Sequence, residues 1–132
     1  MTKPPLSIRL LAVTVWGGLG LALPDLLLVL ILGIVAVLLL VVIRTFGAGD
    51  PFVPANARRL VTIGFLLIGV GMLPRVEDLA LWALLSGTPL EGVTMGAVQD
   101  HHWAVVSGFV VLALAEVFRQ GSRLRADTAG LV

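Results

Sequence analysis

Cysteine is absent from this sequence, and charged residues make up only 13% of its 132 positions. The lack of cysteine excludes disulfide bonds, thiol redox chemistry and metal sites built from thiolates. A quinone-linked, disulfide-forming membrane enzyme is excluded for the same reason. The abundant residues are instead hydrophobic, at 58% of the chain, with a mean hydropathy of +1.07. This is the composition of a chain that lies mostly in lipid.

Ionisable residues are missing from the middle of the apolar segments, where they would mark a proton or ion path. Asp25 and Glu116 lie near segment ends, and the spacing of Glu116 to Arg119 and Gln120 predicts a local ion pair. The sequence has no nucleophile–base set, phosphate-binding glycine loop or HExxH motif. We therefore expect a protein that is not an enzyme and that binds no cofactor.

The longest apolar stretch is Leu26–Ile43, eighteen residues without a charge, Ser, Thr, Asn, Gln or Pro. As a helix it would be about 27 Å long, close to the hydrocarbon thickness of a bilayer. A helix of that length that is apolar on every side is not expected in a soluble domain. The stretch therefore predicts a transmembrane helix.

The chain has room for four such helices. A single helix from Leu6 to Ile43 would be about 57 Å long, nearly twice the hydrocarbon thickness. We therefore expect a break at Pro24, because proline fits the first turn of a new helix, as it also does at Pro54. A cleaved signal peptide is the alternative interpretation of the first apolar segment. We predict one all-α domain over residues 1–132, a bundle of four transmembrane helices at about 6–23, 26–44, 54–73 and 100–120.

Basic residues are distributed unequally between the two ends of these helices. Arg75 alone falls near an outer end, whereas eight basic residues fall near inner ends: Lys3, Arg9, Arg44, Arg58, Arg59, Arg119, Arg123 and Arg125. By the positive-inside rule, we expect a multi-pass protein of the bacterial cytoplasmic (inner) membrane with both termini cytoplasmic. Direct nucleic-acid binding is not expected. Leu79–Leu85 is too short to span the bilayer and predicts a short interfacial helix in the second outer loop.

Small residues recur along the predicted helices. They let helix backbones approach closely, which matters where lipid provides no hydrophobic drive for association. We expect five glycines to lie at helix contacts: Gly20, Gly33, Gly64, Gly71 and Gly108. Packing within one bundle is the simpler interpretation of this pattern. A contact between identical chains in a homo-oligomer is the alternative, and the pattern does not separate the two.

The run Asp100-His101-His102 raises the question of a metal site, because carboxylate and imidazole groups are zinc ligands. Adjacent histidines on one helix point in different directions, so both rarely bind one ion. Further ligands would have to come from Glu77, Asp78 or Glu91. We therefore expect a solvated helix start here, and the metal-dependent membrane enzyme is a lesser alternative.

Two stretches resemble a known family. Residues 49–60, GDPFVPANARRL, followed by Gly64, resemble the inner loop of a short bacterial four-helix membrane family of unknown function. Residues 116–132, with EVFRQG, LRAD and GLV, resemble the C-terminus of that family. The family is often encoded beside a small Cro/CI-type helix-turn-helix regulator, so the resemblance implies a regulatory or partner-binding role. The first outer loop is usually longer in that family than the turn at Pro24 allows.

The inner loop and the C-terminal tail form the candidate site. We expect them to dock on each other and to present a surface to a cytosolic protein through Asp50, Phe52, Asn56, Arg58, Arg59, Arg123, Arg125 and Asp127. Membrane orientation accounts for the arginines but not for the acidic and neutral members, which contribute little to orientation. The expected function is that of a regulatory or accessory membrane protein. A small oligomeric channel or transporter subunit is the alternative.

Overall fold

The structure is a computed structural model that describes residues 3–87 and 101–131. Within these ranges the chain forms three α-helices and no strand: α1 spans Leu6–Gly47, α2 spans Pro54–Leu85 and α3 spans His102–Ala129. Each helix has a stretch long and apolar enough to cross a membrane. The prediction of an all-α chain with helices able to span a bilayer is confirmed at this level.

The first helix runs without interruption where the sequence predicts two helices. Pro24 lies inside α1, so the expected break is wrong for this structure, and the helix has 42 residues. That corresponds to a length of about 63 Å. A proline removes one backbone hydrogen bond and strains one turn. The leucine and alanine residues around it are strong helix formers, and membrane helices tolerate such prolines.

The second helix joins two segments that the sequence separates. It begins at Pro54, as predicted, because the fixed φ and the missing N–H of proline suit a first turn. It then continues through Pro74 to Leu85, so the expected separate interfacial helix is instead the last part of α2. The third helix begins at His102 and continues beyond the predicted end at 120 to Ala129.

The second helix lies between the other two and contacts both. Ile63, at the centre of the core, is fully buried. The core contains one residue of α1, four of α2 and two of α3: Val35, Ala57, Leu60, Ile63, Leu67, Ala115 and Phe118. These positions belong to the half of the bundle next to the loop between α1 and α2. That loop therefore lies next to the hydrophobic core of the described residues.

Three of the predicted contact glycines lie where α2 and α3 approach most closely. A methyl group added at Gly64 would lie 2.7 Å from Leu112 Cδ2 and 3.0 Å from the Gly108 carbonyl oxygen. One added at Gly71 would lie 3.0 Å from the Val105 backbone nitrogen. One added at Gly108 would lie 2.7 Å from the Gly64 carbonyl oxygen. The absence of side chains at these positions sets the distance between the two helices.

The other two predicted contact glycines lie apart from α2 and α3. A methyl group at Gly20 or Gly33 would have no atom beyond the local helix within 4 Å among the described residues. The expectation of a helix contact within the chain is therefore wrong for both. Gly20 belongs to the first half of α1, where residues 6–20 are all exposed. Gly33 lies two residues from Val35 and so faces away from the core.

Candidate functional site

The loop between α1 and α2 is attached to the last turns of α3. We call this contact the loop–tail junction and define it by Asp50, Phe52, Ser122 and Arg125. The Arg125 guanidinium forms an ion pair with the Asp50 carboxylate. The Ser122 hydroxyl lies 2.8 Å from both the Phe52 and the Phe118 carbonyl oxygens, which share its single proton. The structure therefore brings together loop and tail residues that lie about seventy positions apart in the sequence.

Aromatic rings support the loop from beneath. The Phe118 ring is buried, and its centroid lies 5.5 Å from that of Phe52 and 5.8 Å from that of Phe46. Gly121 leaves room for the Phe52 ring, because a methyl group there would lie 2.5 Å from Phe52 Cδ1. Rings from α1, the loop and α3 thus meet at one place and fix the position of Phe52 at the surface.

Asn56 lies inside the protein, although the sequence suggests a surface role. It is fully buried. Its amide donates to Thr45 Oγ1 at 2.5 Å and to the Pro51 carbonyl oxygen at 3.0 Å, and its oxygen accepts from Arg59 Nη1 at 2.8 Å. The expectation that Asn56 contacts a partner is therefore wrong, and Arg59 is occupied with it. Asn56 instead ties the end of α1, the loop and α2 together.

Three other arginines, Arg58, Arg119 and Arg123, line a groove between the first turns of α2 and the last turns of α3. We call it the arginine groove. It has a volume of about 340 Å³ and is lined by Pro54, Ala57, Arg58, Arg119, Ser122, Arg123 and Ala126. Arg119 forms an ion pair with Glu116 at 2.7 Å, and Gln120 donates to the same carboxylate at 3.0 Å. This is the local pair that the sequence spacing predicts.

Comparison with known proteins identifies the family of this chain. The model of one family, described as a protein of unknown function (DUF2975), matches residues 11–130. The chain belongs to the DUF2975 family. The match covers nearly all of the three helices and includes the loop–tail junction. A search of curated proteins and a search of solved structures each found no match.

The other acidic candidates of this DUF2975 chain are Asp127 and the carboxylates of the metal hypothesis. Asp127 is exposed near the end of α3, on the tail side of the junction. Asp100, the carboxylate of the metal hypothesis, and Glu91, one of its three possible further ligands, lie outside the described residues. Among residues 3–87 and 101–131, no three His, Asp or Glu side chains are grouped so that they could hold a metal ion.

Sequence reasoning missed four contributors to the site of this DUF2975 chain: Phe46, Phe118, Ser122 and Arg119. One signal was available for Arg119. It lies three, four and seven residues before Ser122, Arg123 and Ala126, the spacing that places residues on one helix face. The phenylalanines carry no such signal, because apolar residues occur on every side of these helices.

Proposed function

We propose that this chain is a regulatory or accessory protein of the bacterial inner membrane, without enzymatic activity, whose cytoplasmic face binds a cytosolic protein. The observation that supports this most is the loop–tail junction, in which distant residues are held together at an exposed position. An exposed ion pair such as Asp50–Arg125 contributes only about 0–1 kcal/mol to stability. Its larger effect is to fix where two charges and the Phe52 ring are presented.

The surface of the junction has the character of a protein-binding site. Phe52 remains 38% exposed although its ring packs on Phe118. The side chains of Asp50 and Arg125 are 49% and 56% exposed. Aromatic and arginine side chains are enriched at protein interfaces, and groups that are ordered before binding lose less entropy on association. The helix-turn-helix regulator that the family resemblance implies is the first partner to test.

A photo-reactive phenylalanine at position 52 is expected to cross-link in cells to one cytosolic protein, identified by mass spectrometry. The same probe at position 79, at the other end of α2, should not. Reversing both charges of the junction, by Asp50→Arg together with Arg125→Asp, keeps an ion pair but presents the opposite pattern. We expect this variant to keep the melting temperature of the wild type. Its cross-linking yield should fall about tenfold, which corresponds to a loss of about 1.4 kcal/mol of binding free energy.

Two results of this experiment would contradict the proposal. Cross-links from position 52 to a second copy of the chain alone would favour an oligomeric channel or transporter subunit instead. Equal cross-linking by the wild type and the charge-reversed variant would mean that the junction charges do not contact the partner.

The proposal requires the junction to face the cytoplasm, which the excess of arginine at that end of the helices supports. Since the chain has no cysteine, single cysteines can be introduced at positions 50, 90 and 128 without background labelling. An impermeant thiol reagent added to intact cells is expected to label position 90 and to leave positions 50 and 128 unmodified until the membrane is opened. Labelling of position 50 in intact cells would contradict the proposed topology, because it would place the junction outside the cytoplasm.

The N-terminus is proposed to be cytoplasmic as well, because Lys3 and Arg9 follow the same charge rule. A straight α1 would leave about 30 Å of apolar helix outside the bilayer. For both ends of α1 to lie in the cytoplasm, this continuous helix would have to open in the membrane into a hairpin whose turn, at Pro24, lies at the outer surface, so that residues 6–23 and 26–44 cross separately. A cysteine at position 3 is then expected to resist the external reagent. Its labelling in intact cells would mean that α1 crosses only once.

A further inference from the structure

We propose that the arginine groove binds the phosphate of an anionic phospholipid in the inner leaflet of the membrane. The inference goes beyond the proposed function but rests on its cytoplasmic orientation, which places the groove in the inner leaflet. It depends on Arg58, Arg119 and Arg123 and not on the Asp50–Arg125 ion pair of the loop–tail junction. Three observations support it: the net positive charge of the groove, its position where the apolar parts of the helices end, and the apolar surface beside it.

The charge of the groove is complementary to a phosphate. Of its three guanidinium groups, that of Arg119 is balanced by Glu116. Among residues 3–87 and 101–131, no carboxylate forms an ion pair with Arg58 or Arg123. Glu116 therefore offsets one of the three charges, through its ion pair with Arg119 and a weaker attraction to Arg123, and the groove keeps a net positive charge beside a space large enough for a phosphate group. The planar guanidinium fork can donate two hydrogen bonds to phosphate oxygens.

The arginines lie where the apolar parts of the helices end. Arg58 precedes the apolar segment of α2, which begins with the buried Leu60. Arg119 directly follows the buried Phe118 of α3, and Arg123 lies one turn farther from the core. In a bilayer this boundary coincides with the level of the lipid headgroups. The groove therefore opens where phospholipid phosphates are concentrated.

Exposed apolar side chains distinguish a lipid from a soluble phosphate compound. Val61 and Phe65 lie three and seven residues after Arg58, on the same side of α2. They are 39% and 63% exposed. A soluble phosphate would contact the arginines alone, whereas the acyl chain of a lipid whose phosphate lies in the groove would extend along Val61 and Phe65. The continuity of the charged groove with this apolar surface favours the lipid.

The test is native mass spectrometry of the full chain in mild detergent, titrated with phosphatidylglycerol and, in parallel, with phosphatidylcholine. Phosphatidylglycerol is expected to bind more tightly. Arg58→Gln with Arg123→Gln should weaken its binding about tenfold or more, because each arginine near a membrane surface contributes to anionic lipid attraction. The matched control is Arg9→Gln with Arg44→Gln, which removes the same charge from α1 and should change the affinity less than about twofold.

The outcomes separate the possible sources of the phosphate. If the groove and control variants lose the same affinity for phosphatidylglycerol, the binding depends on overall charge, and the proposed site is wrong. Tight, arginine-dependent binding of soluble glycerol phosphate would overturn the assignment to a lipid. Arg58→Lys with Arg123→Lys keeps the charge but not the fork, and is expected to bind phosphatidylglycerol with intermediate affinity. Lysine variants that bind no better than the glutamine variants, with unchanged melting, would contradict a charge-based phosphate site. Cross-linking from position 52 should persist in all of these variants.

Discussion

Replacing Gly71 by alanine is expected to lower the melting temperature of the purified protein in detergent by several degrees. A methyl group there would contact the Val105 side chain and would lie 3.0 Å from the Val105 backbone nitrogen and 3.1 Å from the His101 carbonyl oxygen. Backbone atoms of α3 cannot rotate out of the way, so α2 and α3 would have to move apart. Overpacking of this kind costs about 1–3 kcal/mol, and Gly71→Leu is expected to cost more.

Gly69 provides the matched control on the same helix. A methyl group at Gly69 would meet no atom beyond the local helix within 4 Å among the described residues. Gly69→Ala is expected to leave the melting temperature unchanged or to raise it, because alanine is favoured over glycine inside a helix by about 1 kcal/mol. Thermal unfolding followed by circular dichroism measures both variants. Equal destabilisation by the two changes would contradict a close contact of α2 with α3 at Gly71.

The second large effect is expected for Asn56→Leu. Leucine has a similar volume but cannot donate to Thr45 Oγ1 or to the Pro51 carbonyl oxygen, and it removes the acceptor of Arg59. The three partners are half-buried, and Thr45 keeps its hydrogen bond to the Val42 carbonyl oxygen, so we expect a cost toward the lower end of the roughly 1–3 kcal/mol of an unsatisfied buried polar group. We therefore expect a clear fall in melting temperature with unchanged membrane insertion. A variant that inserts wrongly in the cysteine-labelling assay would instead make Asn56 a topology determinant.

A double-mutant cycle assigns this effect to the buried network. Thr45→Val alone should destabilise, but in the Asn56→Leu background it should cost less, because the hydrogen bond between the two side chains is already gone. Thr62→Val is the control, since within residues 3–87 and 101–131 its exposed hydroxyl bonds only to the Arg58 carbonyl oxygen of the same helix. It is expected to lie within about 0.5 kcal/mol of the wild type. Additive effects of the Asn56 and Thr45 changes would contradict the network.

Local chemistry predicts the start of α2 and the loop before it. It does not predict that two helices continue through internal prolines. Gly49 adopts a positive φ of 85° in the turn, and Pro54 occupies the first turn of the helix, as their residue types suggest. At Pro24 and Pro74 the same local rule, the loss of one hydrogen bond, predicts a break that the structure does not have. Whether a helix continues through a proline depends also on the helix propensity of the flanking residues and on the packing and solvent around that turn. The local rule for proline does not include these contributions.

The proximity of loop and tail is predictable from charge, whereas the role of each residue is not. Asp50 and Arg125 fall on the same predicted side of the membrane and carry opposite charges, and they do form an ion pair. Asn56 has the residue type of an exposed surface, but the rotation of α2 about its axis turns it toward α1. Helix rotation is poorly determined when apolar residues surround the whole helix. The contacts of Phe118 and Ser122 are not predictable from the sequence for the same reason, because they depend on the rotation of α3.

The close packing of α2 on α3 also bears on how the protein is made. These two helices share the contact at Gly64 and Gly108, whereas α1 joins α2 around Val35 and through its last turns. Translation delivers α1 to the membrane first and the tightly packed pair last. Until α2 is made, α1 lies in the lipid without a neighbour, and its apolar sequence makes that state stable. Asn56 belongs to the first turn of α2, so the partner of Thr45 is synthesised directly after α1, whereas the contact at Gly64 and Gly108 requires α3, which is made last.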